Sequence, residues 1–267
     1  MSISNVRCVA ASIVLAMSIA HAVLAADILI ADEKSQPESL AVAPGGVLIV
    51  GSASTPFVYR IRSGSSTAEK FIDASGEGAG TFFFGILADA STNTLWTCQL
   101  TPVSTATPRQ RHTALRGFTL STGAAKFRWD LPGDNSMCND FSIGPDKALY
   151  ITDTANAKIY KLPAGASTPE LFLEHSALKG IDGFTFLNGT LDVNHVATSK
   201  IYRIPVDAEG KAESPVEIEL DQPIKGPDGM RAANGKLFVA ENGSGKISTI
   251  RVVGDKATVT VIKEGLK

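Results

Sequence analysis

The chain has 267 residues, with 25 basic against 27 acidic side chains and a net charge of −2. That balance, without clustered Lys and Arg, excludes a surface built for a phosphate backbone, so no nucleic-acid partner is expected. At 44% hydrophobic and 19% charged residues the chain can bury a core, and its length admits one large domain or two small ones.

Residues 1–25 read as an export signal outside the fold. Arg7 supplies the positive start, "CVAASIVLAMSIA" is an apolar run shorter than a bilayer span, and Ala22 and Ala25 each end a small-residue cleavage site. Residues 26–267 are then one domain, periplasmic or secreted, without membrane contact after cleavage; an uncleaved anchor is the alternative. Export makes Cys98 and Cys138 candidates for a disulfide, with two buried thiols as the other reading.

From Pro37 onward the chain repeats itself. In order, the units open with "PESLAVAPGGVLIVGSASTPFVYRI" from Pro37, "FFGILADASTNTLWTCQL" from Phe83 and "CNDFSIGPDKALYITDTANAKIYKL" from Cys138. "IDGFTFLNGTLDVNHVATSKIYRI" from Ile181 and "KGPDGMRAANGKLFVAENG" over 225–243 follow. Each reads as a strand, a Gly/Asn/Asp/Pro turn, a second strand, a loop and a third strand, with apolar and polar residues alternating. A fourth strand closes each unit: "AEKFID", "AAKFRWDLP", "PELFLEH", "SPVEIEL" and "ATVTVIKEG". Four antiparallel strands recurring about every 45 residues predict an all-β fold, a β-propeller, with five repeats detectable. "TPVSTATPRQRHTA" is an insertion in the second unit whose "PRQRH" reads as a solvated tip. "DILIAD", just after the signal, is expected to pair with the last blade and close the ring.

The first strands of successive blades line a central channel, so the residues that begin them converge. Those residues are Glu38, Phe84, Asn139, Asp182 and Asp228. Taken singly, Asp182 or Asp228 reads as a turn former; together, carboxylates crowded in a channel repel unless protonated or neutralised by a cation. Their oxygens suit one hard divalent ion, Ca²⁺ first, with Mg²⁺ or Mn²⁺ next; Zn²⁺ fits less well without His or Cys there. Loops between second and third strands open on the same face and bring Asp153, Asn194, His195, Glu241 and Asn242 as an outer shell. His195 is a candidate proton-transfer group or a loop residue bonded to backbone.

On "PES" with Glu38, "CND" with Asn139, and "GPDGM" with Asp228 followed by "GKLFVAEN", the chain resembles the senescence-marker-protein/gluconolactonase family, which includes regucalcin and luciferin-regenerating enzyme. The resemblance covers most of residues 37–267. It implies a six-bladed propeller of the gluconolactonase type with a divalent metal in the channel and hydrolysis of lactones or related esters. It implies Glu38 and Asp228 as metal ligands, Asn139 facing substrate or metal-bound water, and Asp228 as base. Two departures stand out: Asp182 replaces the asparagine usual in the next blade, and only five repeats are present, so that the ring either closes on five or stays open. The expected function is therefore an exported hydrolase taking one divalent cation and a small-molecule substrate, with the oligomeric state left open. Glu38, Asn139, Asp182 and Asp228 are its metal set, Asn139, Asn194 and Glu241 contact substrate, and Asp228 with His195 moves protons. A non-catalytic metal- or ligand-binding propeller or interaction scaffold is the alternative, and lyases of the virginiamycin type share the architecture.

Overall fold

Strict alternation cannot form an amphipathic helix, and the described chain is built from strands with only three short 3₁₀ turns. The computed structural model describes residues 27–103 and 110–266; the signal expected over residues 1–25 lies outside them. Blade 1 holds β1 (Pro37–Ala43), β2 (Val47–Ser52), β3 (Phe57–Ile61) and β4 (Glu69–Asp73). Blade 2 holds β5 (Phe82–Asp89), β6 (Thr94–Val103), β7 (Gln110–Thr119) and β8 (Ala125–Asp130). Blade 3 holds β9 (Cys138–Ile143), β10 (Leu149–Asp153), β11 (Lys158–Leu162) and β12 (Glu170–Glu174). Blade 4 holds β13 (Ile181–Leu187), β14 (Thr190–His195), β15 (Lys200–Ile204) and β16 (Val216–Glu217). After β17 (Glu219–Leu220), blade 5 holds β18 (Pro227–Ala233), β19 (Lys236–Glu241), β20 (Lys246–Val253) and β21 (Lys256–Lys263).

Within each blade the four strands pair antiparallel in chain order, and the five sheets form a β-propeller. Two of the tight hairpins rest on Asn-Gly pairs in the left-handed region: Asn188 and Gly189 at φ 53° and 84°, Asn234 and Gly235 at 51° and 70°. That is the two-residue turn whose twist matches the strands it joins. The first strands β1, β5, β9, β13 and β18 pack on one another in that order.

Apolar residues on facing sheets form one core between each consecutive pair of blades. Ile49 and Val58 meet Phe83 and Ile86; Leu100 and Leu115 meet Phe141 and Ile151. Tyr150 and Ile159 meet Phe184 and Val193; Leu187 and Ile201 meet Met230 and Val239. Burying each such side chain contributes about 1.5–3 kcal/mol. Cys98 of β6 and Cys138 of β9 are disulfide-bonded, Cα atoms 5.3 Å apart, which joins blade 2 to the inner strand of blade 3.

Among the described residues no buried cluster joins blade 5 to blade 1. A cleft of about 560 Å³ lies there, with Pro37, Glu38 and Ala53 on one wall and Asp228, Asn242 and Ile247 on the other. Apolar side chains of β1 that another blade would cover stand exposed, Leu40 at 55% and Val42 at 66%. The five blades thus form an arc rather than a sealed ring.

Three segments depart from expectation. "DILIAD" does not close the ring: Leu29 bridges Thr67 at the outer edge of blade 1, exchanging backbone bonds with Ser66 and Ala68. The edge of β4 lies beside it, whereas blade 5 is across the cleft. "SPVEIEL" is divided between blades. Val216–Glu217 pairs with β15, Ile218 turns into the core between blades 4 and 5, and Glu219–Leu220 adds in parallel to β21. The insertion in blade 2 is mostly strand: β6 and β7 stay paired up to Val103 opposite Gln110, so Gln110–His112 belong to β7 and not to a loop tip. Residues 104–109 lie outside the described residues.

Close approach of inner strands requires glycine at two places. A Cβ on Gly85 would lie on the Asn139 carbonyl, and one on Gly183 would press into backbone atoms of Asp228 and Met230. Gly229, at the same position in blade 5, has nothing within 4 Å of such a Cβ. Chemical denaturation should therefore show Gly183→Ala losing about 1–3 kcal/mol, while Gly229→Ala stays within about 0.5 kcal/mol of the parent. Equal losses would mean that a neighbour does cover Gly229.

Candidate active site in the channel

Every inner strand pairs irregularly with its neighbour at its start. The register shifts between Pro37 and Leu40, Phe84 and Ile86, Ile181 and Phe184, and Pro227 and Met230; in blade 3 the shift lies opposite Asn139 and Asp140. A bulge inserts extra backbone on one strand and re-aims the side chains it carries. Glu38, Asn139, Asp140, Asp182 and Asp228 all sit in these bulges, so the device that breaks the ladder also delivers the polar groups to the channel. Phe84 is the apolar exception, in blade 2.

The carboxyl groups then meet one another's fields. Glu38 is pushed up to about 9, first by desolvation and then by repulsion from Asp182, Asp140 and Asp228. The residue as a whole stands exposed at the cleft, where water offsets part of that push. Asp182 is pushed up to about 8, again by burial first and then by Asp228 and Asp140. Asn139 opposes that rise. Burial also raises Asp228, although Asp182 and the Asn242 amide, 3.3 Å from its Oδ2, favour its charged form. Burial and the neighbouring carboxyl groups thus disfavour ionising Asp182 and Asp228 together.

One cation of the protein enters the same space. Arg231 of β18 reaches across to blade 3, its Nη1 and Nη2 donating to Asp140 Oδ2 and Oδ1 at 2.6 and 2.9 Å. Asp140 is 5% exposed, and its Oδ1 also accepts from the Phe141 amide. Four carboxyl groups thus share one guanidinium, and ionising all four leaves three charges uncompensated.

That donor set fits a divalent cation. Hard oxygen donors come from three blades beyond Arg231's own partner, and a double positive charge would relieve most of the remaining repulsion. Asn194 adds an orphan: it is fully buried, its Nδ2 donates to the Asp228 carbonyl at 2.5 Å, and its Oδ1 has no partner. As the side chains stand, no three His, Cys, Asp or Glu among the described residues converge tightly enough to chelate an ion. Asn139 and Asn194 would have to complete the set.

The outer-shell residues divide by what they hold. Glu241 is 4% exposed and accepts from the Lys225 amide at 2.9 Å, Ser244 Oγ at 3.0 Å and Ser248 Oγ. Asp153 accepts from the Met137 amide at 2.8 Å and from the Asn156 amide and side chain. Ser52, at the same place in blade 1, accepts from the Gln36 amide at 3.1 Å. In three blades, then, the residue ending the second strand clamps the backbone that leads into the first. His195 occupies this place in blade 4; its ring packs on Gly180 and its Nδ1 accepts from the Thr198 amide at 3.3 Å. Its position is that of a clamp, and so is that of Glu241.

Asp140 and Arg231 are absent from the residues singled out in the sequence. Their signal was present: each lies within three positions of a bulge residue, and a charged pair at such places in two repeats stands out against Gly85, Gly183 and Gly229.

No family model and no curated protein matches the chain. Solved structures resemble it in fold. A gluconolactonase from Xanthomonas campestris is 17% identical with TM-score 0.61, covering 86% of this chain and 77% of its own. Virginiamycin B lyase from Staphylococcus aureus is 14% identical with TM-score 0.58, over 88% and 87%. Regucalcin from Agrobacterium tumefaciens, described as a calcium-binding protein, is 15% identical with TM-score 0.57, over 77% and 68%. At these identities the likeness is one of propeller fold.

The Arg231–Asp140 pair is the contact that spans the channel, and its coupling is measurable. Arg231→Met and Asp140→Asn should each cost about 1–3 kcal/mol in denaturant titrations. The double variant should cost less than their sum by about 1 kcal/mol or more. Strictly additive losses would show that the two side chains act independently.

Proposed function

We propose that the protein is a divalent-cation-dependent hydrolase that opens a lactone or another small ester in its channel. The observation that carries this reading is that Glu38, Asn139, Asp182 and Asp228 each sit in a bulge at the start of an inner strand, in four blades. The fold likeness to a gluconolactonase and to a calcium-binding regucalcin supports it. Those four residues would hold the cation, Ca²⁺ before Mg²⁺, Mn²⁺ or Zn²⁺, which when bound polarises a carbonyl and acidifies water.

The chain's own residues supply the rest. Asp228 Oδ is the proton acceptor: burial raises it above the ordinary carboxylate range, and Asn242 steadies Oδ2. The proton Asp228 takes from the attacking water is returned to the leaving alkoxide, so that the carboxylate is regenerated. Asn194 fixes the Asp228 backbone through its Nδ2 bond, and Asn139 faces the bound substrate. His195 and Glu241 position the surrounding loops. The Cys98–Cys138 bond fits an oxidising compartment, and with it the reading of residues 1–25 as an export signal.

The second reading is a binding propeller without turnover. Arg231 favours it, because a guanidinium in the channel already supplies positive charge that a catalytic cation would otherwise provide alone.

Chelator-treated protein reloaded with each of the four cations, and assayed on a panel of lactones and small esters, separates these readings. Ring opening that requires one cation is expected, with Asp228→Asn about a hundredfold slower or more and His195→Ala within about threefold of the parent. A cation-dependent rise in melting temperature without any turnover would establish the binding reading. Neither turnover nor a thermal shift would sink both.

A further inference from the structure

Blade 2 carries a second polar cavity, on the face of the propeller where the inner strands begin but with none of the channel carboxylates in its wall. It measures about 310 Å³ and is walled by Glu77, Thr101, Arg111, His112, Arg128 and Asp130, with Ser136 at its rim. β6 and β7 are ten residues each, against five for the corresponding strands of blade 3. The extra length lifts the hairpin from the propeller face, and the cavity lies along its flank.

The charge on this hairpin is one-sided. From Gln99 to Arg116 the sequence holds Arg109, Arg111, His112 and Arg116 and not one Asp or Glu. Arg116 and Arg128 are direct cross-strand partners, a like-charged pair that is unfavourable unless an anion lies between them. Glu77 provides one: its Oε2 accepts from Arg116 at 2.5 Å, Arg128 at 3.0 Å and Gln99 at 2.9 Å. Asp130 takes the other side of Arg128 at 2.7 Å. These two carboxylates are spent on two arginines.

Arg111 is left over. Its buried Nε has no hydrogen-bond partner among the described residues, and neither does Nε of Arg116, a residue 6% exposed. Residues 104–109 contain no Asp or Glu. A guanidinium with a desolvated, unsatisfied donor beside a polar cavity has the chemistry of an oxyanion site, since guanidinium binds planar or tetrahedral oxyanions through paired N–H donors.

We propose that this cavity binds the carboxylate or phosphate group of a small molecule, with Arg111 as the principal donor and His112 and Arg128 flanking it. The site is independent of hydrolysis in the channel and goes beyond it.

Isothermal titration at low ionic strength, in chelator so that channel cations play no part, tests it with inorganic phosphate in one arm and acetate in the other. Saturable binding in at least one arm is expected, and which arm responds identifies the oxyanion. Arg111→Gln should weaken it at least tenfold, while Asp130→Asn, a change at a 65% exposed side chain, should tighten it by releasing Arg128. Unaltered melting temperatures show that both variants fold. No saturable heat in either arm, or affinities indifferent to both substitutions, would overturn the site.

Discussion

Like charges that the backbone will not allow to separate are the constraint on which this molecule turns. Glu38, Asp140, Asp182 and Asp228 are each fixed in a bulge at the start of an inner strand, and each strand is anchored by apolar residues packed against the next blade. Moving a carboxyl away would mean unpacking a core worth several kcal/mol. Repulsion is relieved instead by the guanidinium clamped on Asp140, while burial and the remaining like charges raise Glu38 and Asp182. A polar cluster under that kind of tension is poised to accept charge from a ligand, which is what a catalytic or binding channel needs.

The same packing explains how far the cluster reaches. Glycines at the second position of the bulges let inner strands touch, and the Cys98–Cys138 bond holds blade 2 against the residue that precedes Asn139. Where the arc stops, Gly229 faces open space and Glu38 stands at the edge of a cleft. Glu38 therefore feels the other carboxyl groups from across a gap that water can enter. It is the member of the set whose geometry depends least on its neighbours, and Asp182 and Asp228 form the tighter pair.

Repetition also separates scaffold from function. A polar residue ends the second strand in four blades, as Ser52, Asp153, His195 and Glu241, and in three of them it accepts a backbone N–H from the segment entering the first strand. Seen along the chain, such residues and the channel residues look alike, both polar and both recurrent. Only the partners tell them apart. Glu241 has its oxygens filled by one backbone and two hydroxyl donors, whereas Asp228 Oδ2 takes the Asn242 amide at a longer 3.3 Å.

The sequence by itself determined the all-β propeller, its five repeats, and the place of Glu38, Asn139, Asp182 and Asp228 at the starts of inner strands, because strand alternation, Asn-Gly turns and a constant repeat length are local or periodic properties. It could not determine that Arg231 reaches over to Asp140, that "DILIAD" lies on blade 1, or that Glu219–Leu220 leaves its own blade for the next. Those outcomes depend on which edges and charges come to lie beside one another after the blades pack. Side-chain direction at a bulge, like the partner of an unpaired edge, is set by neighbours distant in the chain, and only the tertiary structure supplies them.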